Sequence, residues 1–275
     1  MDILANYMLA PLSVDGLEAL SRPMQGHWRS WLFQRLGAQD VLPAGTGAAD
    51  AARLMRGLDG DARLDAIRAL APVLAPVQGV EALNAVANPL TGYARTNAFT
   101  ALAKQFRLGE DLRGVDIGPA LRETDSRERQ RMIEVFLPHL AGDQSAADLA
   151  ALLGPMDQWS RANLVGLLRN HDKVAGDIAL ADALELMKGE SGDHRVALVT
   201  HLAPQLAEPL APADMARLAG PLTGYPRINA VKAMVGSGKV APLSASAVTM
   251  LAEGLSDREQ RQLIEALGPV MQGAG

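Results

Sequence analysis

The side chains able to do chemistry are few, and their spacing excludes more than it suggests. The chain has no cysteine, so it carries no thiolate nucleophile, no thiolate zinc site and no disulfide. Its five histidines are His27, His139, His171, His194 and His201. His194 and His201 fall on one face of a helix but lie about 10 Å apart along its axis, too far to share one ion without further ligands. The other three are isolated, so no metal ligand is assigned. Gly236-Ser-Gly-Lys239 ends like a phosphate-binding loop, yet Ala233 stands where the earlier glycine belongs and Val240 where Ser or Thr would hold magnesium. It reads as a helix stop and connector. The serines have neither a Gly-x-Ser-x-Gly elbow nor a nearby base. No catalytic residue and no cofactor is therefore expected, and the chain reads as non-enzymatic.

What recurs instead is arginine, at Arg29, Arg63, Arg95, Arg129, Arg161, Arg195, Arg227 and Arg261, in steps that alternate 34 and 32. Around every second one the text nearly repeats. Ser21-Arg-Pro-Met-Gln-Gly-His-Trp-Arg29, Ala87-Asn-Pro-Leu-Thr-Gly-Tyr-Ala-Arg95, Leu153-Gly-Pro-Met-Asp-Gln-Trp-Ser-Arg161 and Ala219-Gly-Pro-Leu-Thr-Gly-Tyr-Pro-Arg227 stand 66 residues apart. A period of this length marks units that bury their apolar faces only against neighbours, which places function on an extended surface. Odd units carry proline six residues before the arginine (Pro23, Pro89, Pro155, Pro221), where it ends a first helix. Even units carry it nine residues after (Pro72, Pro138, Pro204), where it bends or stops a second helix. In the last unit Pro269 lies eight residues after Arg261, and counting nine back reaches Gln260.

After each arginine the apolar residues fall at helical spacing: Ala98, Phe99, Leu102 and Phe106; Ile67, Leu70 and Val73; Leu198, Val199 and Leu202. A shorter apolar stretch precedes each, as in Asp148-Leu-Ala-Ala-Leu-Leu153. Strands have no support from period-two alternation. The expected fold is all-α, an α-solenoid of about eight helical hairpins in four 66-residue double repeats. It forms a single domain over 1–275, with a leader at 1–12 and double repeats at about 13–79, 80–145, 146–211 and 212–275. Asp61, Asp125, Asp193 and Asp257 precede arginines and are expected to cap the second helices, with the guanidinium in the first turn in a structural role.

Gly60-Asp-Ala-Arg-Leu-Asp-Ala-Ile-Arg-Ala-Leu70 and Tyr93-Ala-Arg-Thr-Asn-Ala-Phe-Thr-Ala-Leu102 resemble HEAT repeats, whose turns end in aspartate and whose second helices open with arginine. The resemblance covers nearly the whole chain. It departs in the odd units, which carry Gly92, Gln158 or Gly224 in place of the aspartate. It implies second helices that line a concave groove for a protein or peptide. HEAT-like enzymes are the rival class. Deoxyhypusine hydroxylases carry His-Glu pairs, and none of the five histidines here is followed by Glu. An alkylpurine DNA glycosylase needs a basic face, which a net charge of -5 and a pI near 5.6 oppose. A bilin lyase-like enzyme and an immunity or inhibitor protein that masks a basic partner stay open.

The same acidity argues against nucleic acid as partner. The opening Met1-Asp-Ile-Leu-Ala-Asn-Tyr-Met-Leu-Ala-Pro-Leu12 has no basic residue and reads as no secretion signal. No apolar run approaches the roughly 20 residues of a membrane span. The expectation is a cytoplasmic protein without membrane contact.

Positions two and five after the arginine should face outward on the second helices, and their chemistry varies from unit to unit. From them come the candidate partner-binding residues Trp31, Arg68, Asn97, Arg131, Asn163 and Lys232. Asn97, Asn163 and Asn229 are expected to satisfy a neighbouring backbone, the alternative being donors and acceptors for an extended ligand. His27, Tyr93, Trp159 and Tyr225 stand two residues before the odd arginines. They are expected to wedge between turns, the alternative being a ladder of rings for stacking. The run Arg122 to Arg131 reads as a solvated face or a specificity patch.

Overall fold

A computed structural model describes residues 12–75, 79–105, 108–121 and 124–271. Residues 1–11 of the leader, Phe106, and Arg122 with Glu123 of the charged run lie outside them. Among the described residues the protein is all-α, with sixteen α-helices in alternating short and long members. The chain divides into two compact units, Met1–Ala141 and Gly142–Gly275. The first holds α1 (Val14–Ser21), α2 (Gly26–Gly37), α3 (Ala48–Leu54), α4 (Gly60–Leu70), α5 (Gly79–Ala87), α6 (Gly92–Lys104), α7 (Gly114–Ile117) and α8 (Ser126–Phe136). The second holds α9 (Ala146–Leu153), α10 (Gln158–Asn170), α11 (Leu180–Leu186), α12 (Gly192–Leu202), α13 (Pro212–Ala219), α14 (Gly224–Gly236), α15 (Ala245–Ala252) and α16 (Asp257–Leu267).

The even-numbered helices start in a common register. Their N-caps are Gln25, Asp59, Thr91, Asp125, Asp157, Ser191 and Thr223, each four residues before its arginine, and then Ser256, four before Gln260. The last unit is therefore shifted by one residue, and Gln260 rather than Arg261 occupies the arginine position. The aspartates do not cap as expected. Only Asp125 does so, its carboxylate accepting from the Glu128 N–H. Asp61 and Asp193 lie inside the first turn, and Asp257 opens its helix, where their charge acts on the helix dipole.

Two chemistries share the task of starting these helices. Five open with a glycine at positive φ, such as Gly60 at 43° and Gly224 at 57°, and have no side-chain cap. Such a turn is cheap only without a Cβ. Where glycine is missing, a polar side chain takes over: Asp125, Asp157, and Ser256 whose N–H and hydroxyl both donate to Glu259.

The prolines end helices in the two expected ways. The helices α1, α5, α9 and α13 stop two residues before Pro23, Pro89, Pro155 and Pro221. After α4, α8, α12 and α16 the chain tightens into one 3-10 turn opened by Pro72, Pro138, Pro204 or Pro269.

Each helix packs mainly on the one two places along the chain. In the first unit α2, α4, α6 and α8 stack in series, as do α1, α3, α5 and α7. In the second, α10, α12, α14 and α16 stack likewise, with α9 on α11 and α13 on α15. The core between the layers is aliphatic with a few rings, among them Phe33, Ile67, Leu102, and Phe99 against Phe136 at 5.1 Å between centroids. The linkers add a backbone tie. Single parallel bridges join Thr46 to Leu74, Leu112 to Leu140, Ile178 to Leu206 and Leu243 to Met271, with Gln144–Val174 and Leu210–Val240 between them. Thr46, Leu112 and Ile178 are 66 apart, and Leu243 comes one residue early, repeating the shift at Gln260.

Candidate binding face

The recurring arginines face inward. Arg63, Arg129 and Arg195 are buried, and each donates from Nη1 to a carbonyl eight residues back, on Met55, Leu121 and Met187 at about 3 Å. Arg63 also donates to Ala85 and Val86 at the end of α5, and Arg195 to Arg217 and Leu218 at the end of α13. The last carbonyls of a helix have no intrahelical donor, and a guanidinium with five N–H groups can serve two helix ends at once. The odd arginines do similar work. Arg29, Arg161 and Arg227 reach the carbonyls of Arg56, Leu186 and Glu253, and buried Arg95 donates to Asn84 Oδ1 at 2.8 Å. Burial pushes the pKa of Arg63, Arg129 and Arg195 down, without bringing a guanidinium near neutrality. Arg261 stands apart: it is exposed and, among the described residues, bonds only to the Asp257 carbonyl of its own helix. In its stead the Gln260 amide donates to Leu255, five residues back, as far as the shorter side chain goes.

The ligand-accessible groups lie further along these helices. Arg68, Asn163 and Lys232 are exposed, while Trp31, Asn97 and Arg131 are half-buried. Arg68 pairs with Asp65 at 3.1 Å, and the Arg35 guanidinium sits 5.3 Å from the Trp31 ring centre. Asn97, Asn163 and Asn229 make no hydrogen bond to any described residue, contrary to the expectation that they satisfy a backbone. The arginines already serve the helix ends, and the amides are left to the surface. At Gly166, in the fifth position, an added Cβ would stand 2.7 Å from His201 Nε2, so the glycine admits the His201 ring from α12. Burial, then the charge of Arg169, lowers the pKa of His201.

Two cavities open on this face of the first unit. One, of about 330 Å³ between α2 and α4, is lined by Gln34, Gly37, Ala38, Asp40, Leu42, Arg68, Ala69, Pro72 and Val73. The other, of about 250 Å³ between α4 and α6, is lined by Arg68, Asn97, Thr100, Ala101, Lys104 and Gln105. Of the six expected residues, Arg68 and Asn97 thus share a cavity, whereas Trp31 and Arg131 line neither. Asn163 and Lys232 stand on α10 and α14 of the second unit, with α12 between them in the stack. Lys104 and Gln105 escaped the sequence reading because they lie nine and ten residues after Arg95, where the even units have proline. The matching signal was the small Ala101 one turn earlier. On the opposite layer a cavity of about 470 Å³ lies between α9 and α11, floored by Ala146, Ala147 and Ala150 and edged by Arg161, Asp182 and Glu185.

The aromatic residues before the odd arginines do not wedge between turns. Tyr93, Trp159 and Tyr225 are 63, 62 and 47% exposed, and Trp28, whose ring lies 4.8 Å from the His27 ring at a tilt of 40°, is 51% exposed. They sit in the first turn of α2, α6, α10 and α14, and helical side chains lean toward the N-terminus, which aims these rings off the helix ends and away from adjacent helices. In the charged run Arg127 is exposed and Gln130 bonds to Glu134, a solvated face, while Arg129 belongs to the buried row. The Gly236 to Lys239 segment is a helix stop, with Lys239 Nζ on the Leu206 carbonyl at 2.9 Å.

Among the described residues no three His, Asp or Glu side chains gather closely enough to hold a metal ion, and no helix is long and apolar enough to cross a membrane. What the face offers is binding chemistry: amides, hydroxyls and cations around small cavities on a rigid helical support. No protein-family model, curated protein or solved structure matches the chain.

Proposed function

We propose that the chain is an α-solenoid of eight HEAT-like hairpins in four double repeats, and that it is a non-enzymatic scaffold which binds a protein or peptide on the face of its second helices. The observation that carries this reading is the contrast between the two sets of side chains on those helices. Arg63, Arg129 and Arg195 are buried, and their Nη1 bond to a carbonyl eight residues back repeats from unit to unit. Two to five residues further on, Trp31, Asp65, Asn97 and Arg131 in one unit and Asn163, Ala197, Asn229 and Lys232 in the other are chemically diverse and reach solvent. Diversity displayed on a constant support is what discrimination between partners requires.

A photo-crosslinking residue placed at Gln34 or Asn163 in the full chain, exposed to an extract of its own organism, should trap a discrete partner. The same residue at Ala49 or Glu185, exposed on the short helices, should not. Crosslinks from the short-helix positions alone would assign binding to the opposite layer. A second reading has its own support in the exposed rings of Trp28, Tyr93, Trp159 and Tyr225, which make the helix-start edge an alternative contact surface. Crosslinking from Ala94 distinguishes it.

A further inference from the structure

We propose that the first unit recognises an extended acidic peptide, with an apolar side chain in the α2/α4 cavity and a carboxylate three residues away in the α4/α6 cavity. This rests on the second-helix face being the binding face and names the partner's chemistry. The two cavities are adjacent, and Arg68 lines both. Their linings differ in kind. Leu42, Ala69, Pro72 and Val73 give the first apolar walls, and Asp40 at its rim disfavours an acid. The second presents Lys104, Arg68, Asn97, Thr100 and Gln105, two cations with amides and a hydroxyl, and no carboxylate among the described residues that line it.

Charge complementarity therefore selects the occupant. The Arg68 guanidinium gives Asp65 its Nη1 and has further N–H groups to offer, while the exposed Lys104 ammonium has no described anionic partner. The spacing selects its conformation. Packed helices lie about 8 to 10 Å apart, and three residues of polyproline II, one full turn, cover about 9 Å and return the side chain to the same side. A chain crossing the helices thus presents every third side chain to successive cavities. A basic peptide meets Lys104 and Arg68 with like charge, and a helical one advances only about 4.5 Å in three residues, short of the next cavity.

The test uses random dodecapeptides displayed on phage, selected against the full chain and then titrated as fluorescein conjugates by anisotropy. Enriched sequences should pair an apolar with an acidic residue three positions apart. Changing that acid to its amide, or Lys104→Glu, should weaken binding about tenfold or more, and the affinity should fall as salt rises. The peptide-side change leaves the protein untouched, so loss of fold cannot mimic it. Enriched peptides that are neutral or basic, or no enrichment at all, overturn the inference. If such peptides still lose affinity on Trp31→Ala or Asn97→Ala, the binding face stands and only its chemistry was misassigned. If they ignore every second-helix substitution, both readings fall.

Discussion

Arg63→Ala should be among the most damaging substitutions in the chain, although it removes no apolar core side chain and lies off the proposed binding face. The side chain is 4% exposed and donates to three carbonyls, those of Met55, Ala85 and Val86, which end two successive short helices. A hydrogen bond from a charged donor contributes about 1.5–3 kcal/mol, and a buried acceptor left alone costs about 1–3 kcal/mol. These terms overlap, because water enters the vacated space and serves part of the need. A loss of about 3 kcal/mol is the expected sum. Arg63→Met keeps the aliphatic stem and isolates the donors, so most of that loss should persist. Arg68→Ala, five residues on, removes only an exposed pair with Asp65 and should cost about 0.5 kcal/mol or less. Urea unfolding followed by circular dichroism reads all three, with the slope of each transition checked against wild type, since a stacked array can lose cooperativity when one junction weakens. Equal midpoints for Arg63→Ala and Arg68→Ala would refute the reasoning, and so would an Arg63→Met variant as stable as wild type.

Gly166→Ala should destabilise by about 1–2 kcal/mol even though alanine is the better helix former by about 1 kcal/mol, because the new methyl meets His201. Adding His201→Ala should recover much of the loss, a coupling that a double-mutant cycle measures. Stability should also depend on pH through His201. Its folded pKa lies below the ordinary histidine value, so the unfolded chain binds the proton first, and stability present above about pH 6.5 declines as pH falls toward the lowered value. Thermal unfolding of His201→Gln should show a shallower decline across that window, and an unchanged slope would assign the titration elsewhere. Tyr93→Ala and Trp159→Ala should shift stability by no more than about 0.5 kcal/mol, given the exposure of both rings. Strong acrylamide quenching of Trp159 fluorescence checks that exposure independently.

The arginine spacing was legible as helix register because an N-cap lies a fixed four residues before each arginine from Arg29 to Arg227, and even the one-residue shift to Gln260 could be counted from Pro269. The role of those arginines was half legible. Aspartates nearby in sequence suggested capping partners, whereas the true acceptors are carbonyls up to 27 residues away, such as Arg56 for Arg29. Apart from the Asn84 amide that serves Arg95 and the Glu190 carboxylate beside Arg161, those acceptors are backbone, which leaves no trace in residue identity. The direction of Tyr93 and Trp159 was hidden for a related reason. A ring at helical spacing looks like core until the helix start is known, and in the first turn the same side chain points past the end. The α4/α6 cavity exists only once two helices lie side by side, so Lys104 had no partner in sequence to mark it.

The linker bridges bear on how such a chain can change over generations. At Thr46, Leu112 and Ile178 the joints are made of N–H and C=O groups, which every residue but proline supplies in full. Mutation on the solvent side of the long helices leaves these joints alone, so new preferences can arise there by single substitutions without loosening the register. Their recurrence also makes 66 residues the natural quantum of insertion or deletion, since cutting at one bridge and rejoining at the next presents the same backbone fitting on both sides. The one-residue slip falls in the linker between the bridged Val240 and Leu243, and the joint after it, Leu243 to Met271, keeps the same span as Thr46 to Leu74, so a slip is taken up between joints and leaves them intact.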